Sequence, residues 1–284
     1  MSDFHSFALA HGLQIDRTYP ADRVQRCATT DKPQSKNGAY FWDGVRGWVS
    51  DWAQGGELHW FDGETRTFTP EQRKAWAQKK NALQSRQEDG WRNASLAAAI
   101  ALRATKPAEH NYLHNKGLGE VLGLVNPDGD LLVPMRNYSN NELMGAQLIR
   151  WLKDERRYEK KMMPGMRAKG SVLRLGPKQA QETYLVEGYA TGLSVEMAAR
   201  QMRLSAAVVV AFSDSNMVNV APMVKGRAYC FADNDASGAG QRAAEKMGLP
   251  WCMSETEGFD ANDEHKKSGL MAVCAHLMKV RSSI

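Results

Sequence analysis

Residues 183–248 constrain this chain most, because three short apolar runs alternate there with three helical patterns. The runs are Thr183-Tyr-Leu-Val186, Ala206 to Phe212 and Ala228 to Ala232. The helical patterns span Leu193 to Met202, Asn216 to Val224 and Gln241 to Met247. Continuous apolar runs bounded by turn residues read as strands buried on both faces. Strands alternating with helices imply a parallel sheet. Ser237 is the expected N-cap of the third helix, and Gly248 with Pro250 is its stop signal.

Each end of this unit carries acid. The first run leads into Glu187-Gly188 and the third into Asp233-Asn-Asp235-Ala-Ser-Gly238. In an open α/β sheet such residues project from the carboxyl edge, where ligands bind. Two carboxylates one residue apart repel unless something positive lies between them. A divalent cation is the usual answer, and Mg²⁺ prefers carboxylates, waters and phosphates. A lone strand-end acid is more often a helix cap or a surface charge. Glu187, Asp233 and Asp235 together point to a site. Gly238-Ala-Gly240-Gln-Arg-Ala243 imitates a dinucleotide fingerprint, but it follows the wrong strand and comes after two acids.

A strand ending in Glu-Gly, followed by a strand ending in Asp-x-Asp in a small α/β unit, resembles the Toprim domain. The matching residues are Glu187-Gly188 and Asp233-Asn234-Asp235. Gly258-Phe-Asp260-Ala-Asn262-Asp263-Glu264 resembles the family's third acidic motif with looser spacing. Thr191 stands where many bacterial primases carry an Asp.

Over the whole chain the net charge is +5, charged residues make up 24% and hydrophobic ones 43%. That is ordinary for a globular protein, and a basic balance makes nucleic acid a natural partner. Cys27, Cys230, Cys252 and Cys274 are scattered with no Cys-x-x-Cys, so no zinc is predicted and a reduced, cytoplasmic setting is expected. No apolar run is long enough to span a membrane, and no signal peptide or P-loop is recognisable.

Phe4, Phe7, Ala8, Leu9 and Leu13 have roughly helical spacing, and a polar segment runs on to Arg26. Residues 38–68 are rich in aromatics, from Tyr40, Phe41 and Trp42 to Phe68. Gly44, Gly47, Gly55, Gly56 and Gly63 punctuate them. This reads as a small antiparallel sheet. Its rings suit either a core or stacking on bases. Pro70 to Thr105 is helical in composition. Around it Arg66, Arg73, Lys74, Lys79, Lys80, Arg86 and Arg92 face only Glu71, Glu88 and Asp89. Lys106-Pro107-Ala108 looks like a boundary.

Val121–Val125 and Leu131–Pro134 read as strands about the turn Asn126-Pro-Asp-Gly129, and Leu143 to Trp151 as another. Residues 150–169 then hold Arg150, Lys153, Arg156, Arg157, Lys160, Lys161, Arg167 and Lys169 against Asp154, Glu155 and Glu159. A basic track beside an acidic edge suits a polyanionic template.

Residues 110–175 with the Toprim-like unit resemble primases carried by plasmids and bacteriophages. The residues concerned are Tyr112-Leu113, Leu132-Val133-Pro134, Gln147-Leu-Ile149, Lys169-Gly170, Val186-Glu-Gly-Tyr189 and Asp233-Asn-Asp235. Gly38-Ala-Tyr40 and Gly47-Trp48 extend the resemblance into the N-terminal part. The zinc-binding module typical of bacterial primases is not recognisable.

The resemblance implies an α/β fold: a C-terminal Toprim domain with a Rossmann-like parallel sheet at 181–284, preceded by mixed α+β structure. A basic part of the primase core would occupy 106–180, and a template-binding sheet and helix 1–105. It implies synthesis of short RNA primers on single-stranded DNA from NTPs by nucleotidyl transfer, with a separate replicative helicase as partner. Asp233 and Asp235 would hold Mg²⁺ or Mn²⁺. Glu187 would ligate the metal or assist proton transfer, and Asp260 and Asp263 would complete a second metal position. The eight basic residues would bind template or nucleotide. A Toprim-type nuclease and a non-catalytic single-strand-binding replication protein are the rival readings.

Overall fold

Glycines and bulky rings mix through residues 38–61, a composition that suits hairpins, and hairpins form. The computed structural model describes residues 3–16, 21–52, 56–63 and 69–283. Of the positions named above, Gly55, Arg66 and Phe68 lie outside these described residues. Helix α1 (Phe4–Ala10) starts at Asp3, whose carboxylate accepts from the Ser6 N–H at 2.7 Å. Strands β1 (Leu13–Gln14), β2 (Ala21–Thr29), β3 (Gly38–Trp42), β4 (Gly47–Asp51) and β5 (His59–Phe61) follow. They pair antiparallel in chain order. The polar segment ahead of Arg26 holds most of β2, which its charged residues conceal in the sequence.

Successive residues of a strand face opposite sides. Tyr40 and Val49 therefore pack with Phe4 and Leu13, while Phe41 and Trp48 pack with Trp76 and Leu83 of α2 (Pro70–Arg103). The sheet rings are thus mainly core. Trp52 is the exception, 61% exposed beneath the Arg26 guanidinium at 4.3 Å. This unit comprises Met1–Trp91 with Arg167–Lys169, and the second comprises Arg92–Met166 with Gly170–Ile284.

In the second unit come β6 (Lys106–Ala108), α3 (Asn111–Asn115), β7 (Gly123–Val125), β8 (Leu131–Asn137), β9 (Leu143–Leu152), β10 (Arg157–Met162) and β11 (Ser171–Leu175). After them lie β12 (Glu182–Val186), α4 (Tyr189–Gln201), β13 (Ala206–Val210), α5 (Asp214–Val220) and β14 (Arg227–Phe231). The chain closes with α6 (Ala239–Met247), β15 (Trp251–Cys252), α7 (Ala261–Ser268) and α8 (Leu270–Arg281). One sheet carries all these strands in the order β10-β9-β8-β11-β13-β12-β14-β15, with β7 on β8 and β6 on β7. It is antiparallel as far as the β11–β13 pair and parallel from β13 to β15. Pro107 sits in β6, an edge strand where a missing N–H costs no ladder bond.

The parallel strands are buried on both faces. Tyr184, Val186, Tyr229 and Phe231 pack with α4 and α8 residues, whereas Leu185 and Cys230 pack with Met217 and Ala244 on the other side. This is why their sequences read as unbroken apolar runs. The expected N-cap of α6 is corrected: it is Gly238, in the left-handed region at φ 66°, rather than Ser237. A residue without Cβ takes that conformation freely.

Helix α4 lies so close to the sheet that a Cβ at Gly192 would stand 2.4 Å from Val210 Cγ2. Gly→Ala in a helix normally gains about 1 kcal/mol. Here Val210 is fully buried and cannot yield, and overpacking costs about 1–3 kcal/mol. Gly192→Ala is therefore expected to destabilise the protein by up to about 2 kcal/mol, read as a lower urea midpoint with unchanged slope. A stabilised variant would contradict this packing.

Candidate active site

The order β13-β12-β14-β15 sets the place of the site. The connection leaving β12 runs through α4 to β13 on one side, and the connection leaving β14 runs through α6 to β15 on the other. The crevice beyond the carboxyl ends of β12 and β14 is thus the point where the strand order reverses, the usual ligand position in such sheets. Glu187 directly follows β12, and its carbonyl accepts from the Phe212 N–H at 2.8 Å. Asp233 and Asp235 follow β14.

Asp233 is half-buried, but its Oδ1 is fully buried and has no hydrogen-bond partner. Burial, reinforced by the charges of Glu187, Asp260, Asp214 and Asp235, pushes its carboxyl up to about 8. A buried acid among like charges holds its proton unless a cation neutralises it. Its backbone is gripped by the next helix: a Cβ at Gly240 would stand 2.2 Å from the Asp233 carbonyl oxygen. Gly240 thus brings the start of α6 against the strand end.

Asp235 behaves differently. Its Oδ1 accepts from the Ser237 N–H at 2.8 Å, the Ala239 N–H at 3.4 Å and the Ser237 hydroxyl. Its Oδ2 accepts from the Gly240 N–H at 3.1 Å. Burial opposes its ionisation, but these bonds outweigh it and hold the carboxyl below its usual range. The two acids of the motif are therefore split, one ionised against a helix N-terminus and one protonated near neutrality.

Asp260 and Asp263 form the capping box of α7. Asp260 Oδ1 accepts from the Asn262 and Asp263 N–H groups at 2.7 and 2.8 Å, and Asp263 Oδ2 accepts from the Asp260 N–H at 3.4 Å. Thr191 donates to Asp260 Oδ2 at 3.0 Å, tying the start of α4 to this acid. Lys116 Nζ lies 3.4 Å from Asp263 Oδ1.

Sequence reasoning missed several residues here. Asp214, at the start of α5, adds to the field on Asp233. Lys116 meets Asp263, and its carbonyl accepts from Asn262 Nδ2 at 2.8 Å. Tyr112 is buried with its hydroxyl unpartnered, and burial pushes it up to about 12, with Asp260 and Asp263 adding to the rise. Tyr112-Leu113 was visible as part of a resemblance, but no spacing rule ties Tyr112 or Lys116 to acids about 150 residues away.

The basic residues divide. Arg167 and Lys169 belong to the first unit, where Arg167 lies 4.9 Å over the Trp91 ring and Lys169 pairs with Glu57 at 2.6 Å. The other six belong to the second. Arg150 forks onto Asp130 at 2.7 and 3.1 Å, Arg157 pairs with Glu155 at 2.5 Å and Lys161 with Glu159 at 2.7 Å. Lys160 stands 5.4 Å over the Tyr112 ring. Lys153 and Arg156 are exposed in the β9–β10 turn.

Among the described residues, no three His, Cys, Asp or Glu side chains are gathered closely enough to hold a metal ion. The donors present are nevertheless hard carboxylate oxygens, and the unpartnered Asp233 Oδ1 is one an oxygen-seeking cation would satisfy.

A carboxyl whose pKa rises on folding binds its proton more tightly in the folded state. Its stabilising effect is full below the unfolded value of 3.8 and is lost as pH climbs toward about 8. With chelator present, Tm should therefore decline across that window. Asp233→Asn should flatten the decline and raise Tm at pH 8 by at least about 2–4 °C. A variant with the wild-type profile would show that Asp233 is not the buried acid described.

Residues 182–269 match the family model of the Toprim domain. No curated protein sequence matches the chain. Among solved structures, one similar chain comes from the bacteriophage T7 lagging-strand DNA polymerase interacting with primase domains of two gp4 subunits bound to an RNA/DNA hybrid and dTTP. Its TM-score is 0.41 at 13% identity, covering 62% of this chain and 91% of that one. A likeness at that level does not establish a shared fold. The acidic crevice, from Glu187 to Asp263, lies wholly within the segment that matches the Toprim domain.

Proposed function

We propose that this chain is a primase-like nucleotidyltransferase that makes short RNA on single-stranded DNA. The observation that carries the reading is Asp233: a half-buried carboxyl whose buried Oδ1 has no partner, among like charges, at the switch-point crevice of a Toprim match. Glu187 and Asp233 would hold Mg²⁺ or Mn²⁺, with Asp235 and Asp260 beside them. Bound there, the ion would neutralise a triphosphate and help align it for in-line attack.

The chain's own groups do the rest. Asp233 would give up its proton on binding a cation. Glu187, where it does not ligate the ion, would accept the proton of the attacking 3′-hydroxyl. The bonds from Ser237, Ala239 and Gly240 keep Asp235 ionised and fixed. Lys153, Arg156 and Lys160 of the β9–β10 hairpin draw in template phosphates, and Arg157 and Lys161 do so by exchanging carboxylate partners for phosphate. A separate helicase would supply the single strand.

NTP incorporation on single-stranded DNA tests the reading. Asp233→Asn or Glu187→Gln should lower turnover by about a hundredfold or more, the scale of losing a main electrostatic contact. DNA cleavage without incorporation would assign the site to a nuclease instead.

Binding should also weaken with salt. Changing Arg156, Arg157, Lys160 and Lys161 to Ala should flatten the slope of log K against log salt by about 0.7 for each phosphate no longer neutralised. An unchanged slope would route the template elsewhere.

A further inference from the structure

We propose that a cleft between α3 and the β9–β10 hairpin binds a nucleobase of single-stranded nucleic acid, with Trp151 as the stacking surface. The inference deepens the proposed function and rests on it. The cleft, of about 480 Å³, is lined by Glu109, His110, Asn111, Asn115, Trp151 and Tyr158, among others. Trp151 is 45% exposed, on the strand next to the sheet edge. A large ring left in solvent can be a bystander. This one is not alone.

Trp151 stands opposite Tyr158 in the β9–β10 register, with ring centroids 4.8 Å apart. Tyr158 is braced by Tyr112 at 5.3 Å, edge-on, and by His110 at 6.1 Å. Tyr112 is buried. The aromatic wall is thus anchored to the core, and a ligand stacking on it orders little that is not already ordered.

The polar groups indicate which part of a nucleotide fits. His110 Nδ1 accepts from the Tyr112 N–H at 3.1 Å, so the proton lies on Nε2, which donates to the Gly129 carbonyl at 3.1 Å. Both ring nitrogens are thus already engaged by the backbone. Glu109 brings negative charge, and it meets His114 at 3.3 Å. A phosphate would find no cation among the lining residues. Asn111 and Asn115 lie four residues apart, on one face of α3. Each offers a donor and an acceptor, the pairing that reads a base edge. A planar, neutral, hydrogen-bonding ring matches this set, and an anion does not.

The position suits a strand. Lys153 and Arg156, in the turn just beyond Trp151, are exposed and would meet phosphates flanking the stacked base. On the inner side, Tyr112 contacts Tyr158 and also senses Asp260 and Asp263. Tyr112 thus stands between the cleft's ring wall and the field of the acidic crevice.

The test is anisotropy of a labelled single-stranded DNA oligonucleotide on the full chain. Trp151→Ala should weaken binding roughly five- to a hundredfold, the range for one base–aromatic stack. Trp151→Phe should stay within about threefold of wild type, because a ring is kept. Neither should change the salt slope, since every phosphate keeps its cation. An oligonucleotide of abasic sites should bind wild type and Trp151→Ala alike. Competition by AMP that disappears in Trp151→Ala would support the cleft while assigning its base to a free nucleotide. The inference is overturned if Trp151→Ala binds as wild type does while the variant lacking Arg156, Arg157, Lys160 and Lys161 loses affinity. In that case the proposed function still stands. A wild-type chain with no affinity for single-stranded DNA would overturn both.

Discussion

Asp233 ends its strand with one carboxylate oxygen beyond the reach of any donor, in the field of Glu187, Asp260, Asp214 and Asp235. Leaving a buried polar atom unpaired costs about 1–3 kcal/mol. The surrounding structure has to impose the arrangement. It does so with strands buried on both faces and with Gly240, which closes the start of α6 onto the Asp233 backbone. An unpaired carboxyl oxygen in a switch-point crevice is one that a bound cation would satisfy.

The same region separates two acids that look equivalent in sequence. Asp235 faces a row of backbone N–H groups and stays ionised; Asp233 faces apolar packing and other acids and holds its proton. Divergent environments give neighbouring carboxylates different tasks. The third acidic motif is stitched to the first by the Thr191–Asp260 hydrogen bond, and to the antiparallel half by Lys116. Because β11 joins both halves in one sheet, Lys116 meets residues of α7 that are remote in sequence, and Tyr112 feels the charge of Asp260 and Asp263.

Much of the parallel half was legible. Its apolar runs are unbroken because both faces are covered, and Gly188, Gly248 and Pro250 mark its turns. The capping roles of Asp235, Asp260 and Asp263 were not. An acid at a helix start and an acid awaiting a cation have the same sequence signature. The basic run was legible as charge but not as pairing: Arg150, Arg157, Lys161 and Lys169 each meet a carboxylate.

The sequence by itself determined the strand–helix alternation, the acids at the strand ends and the long helix that starts at Pro70, because these depend on local periodicity and turn chemistry. Tertiary structure alone decided which acid is buried, which is a cap, and which tyrosine, lysine and threonine reach them. Burial and electrostatic fields depend on chain segments far apart in sequence. No local pattern could say that Tyr112 would lie near Asp260, or that Asp233 would be the carboxyl left without a partner.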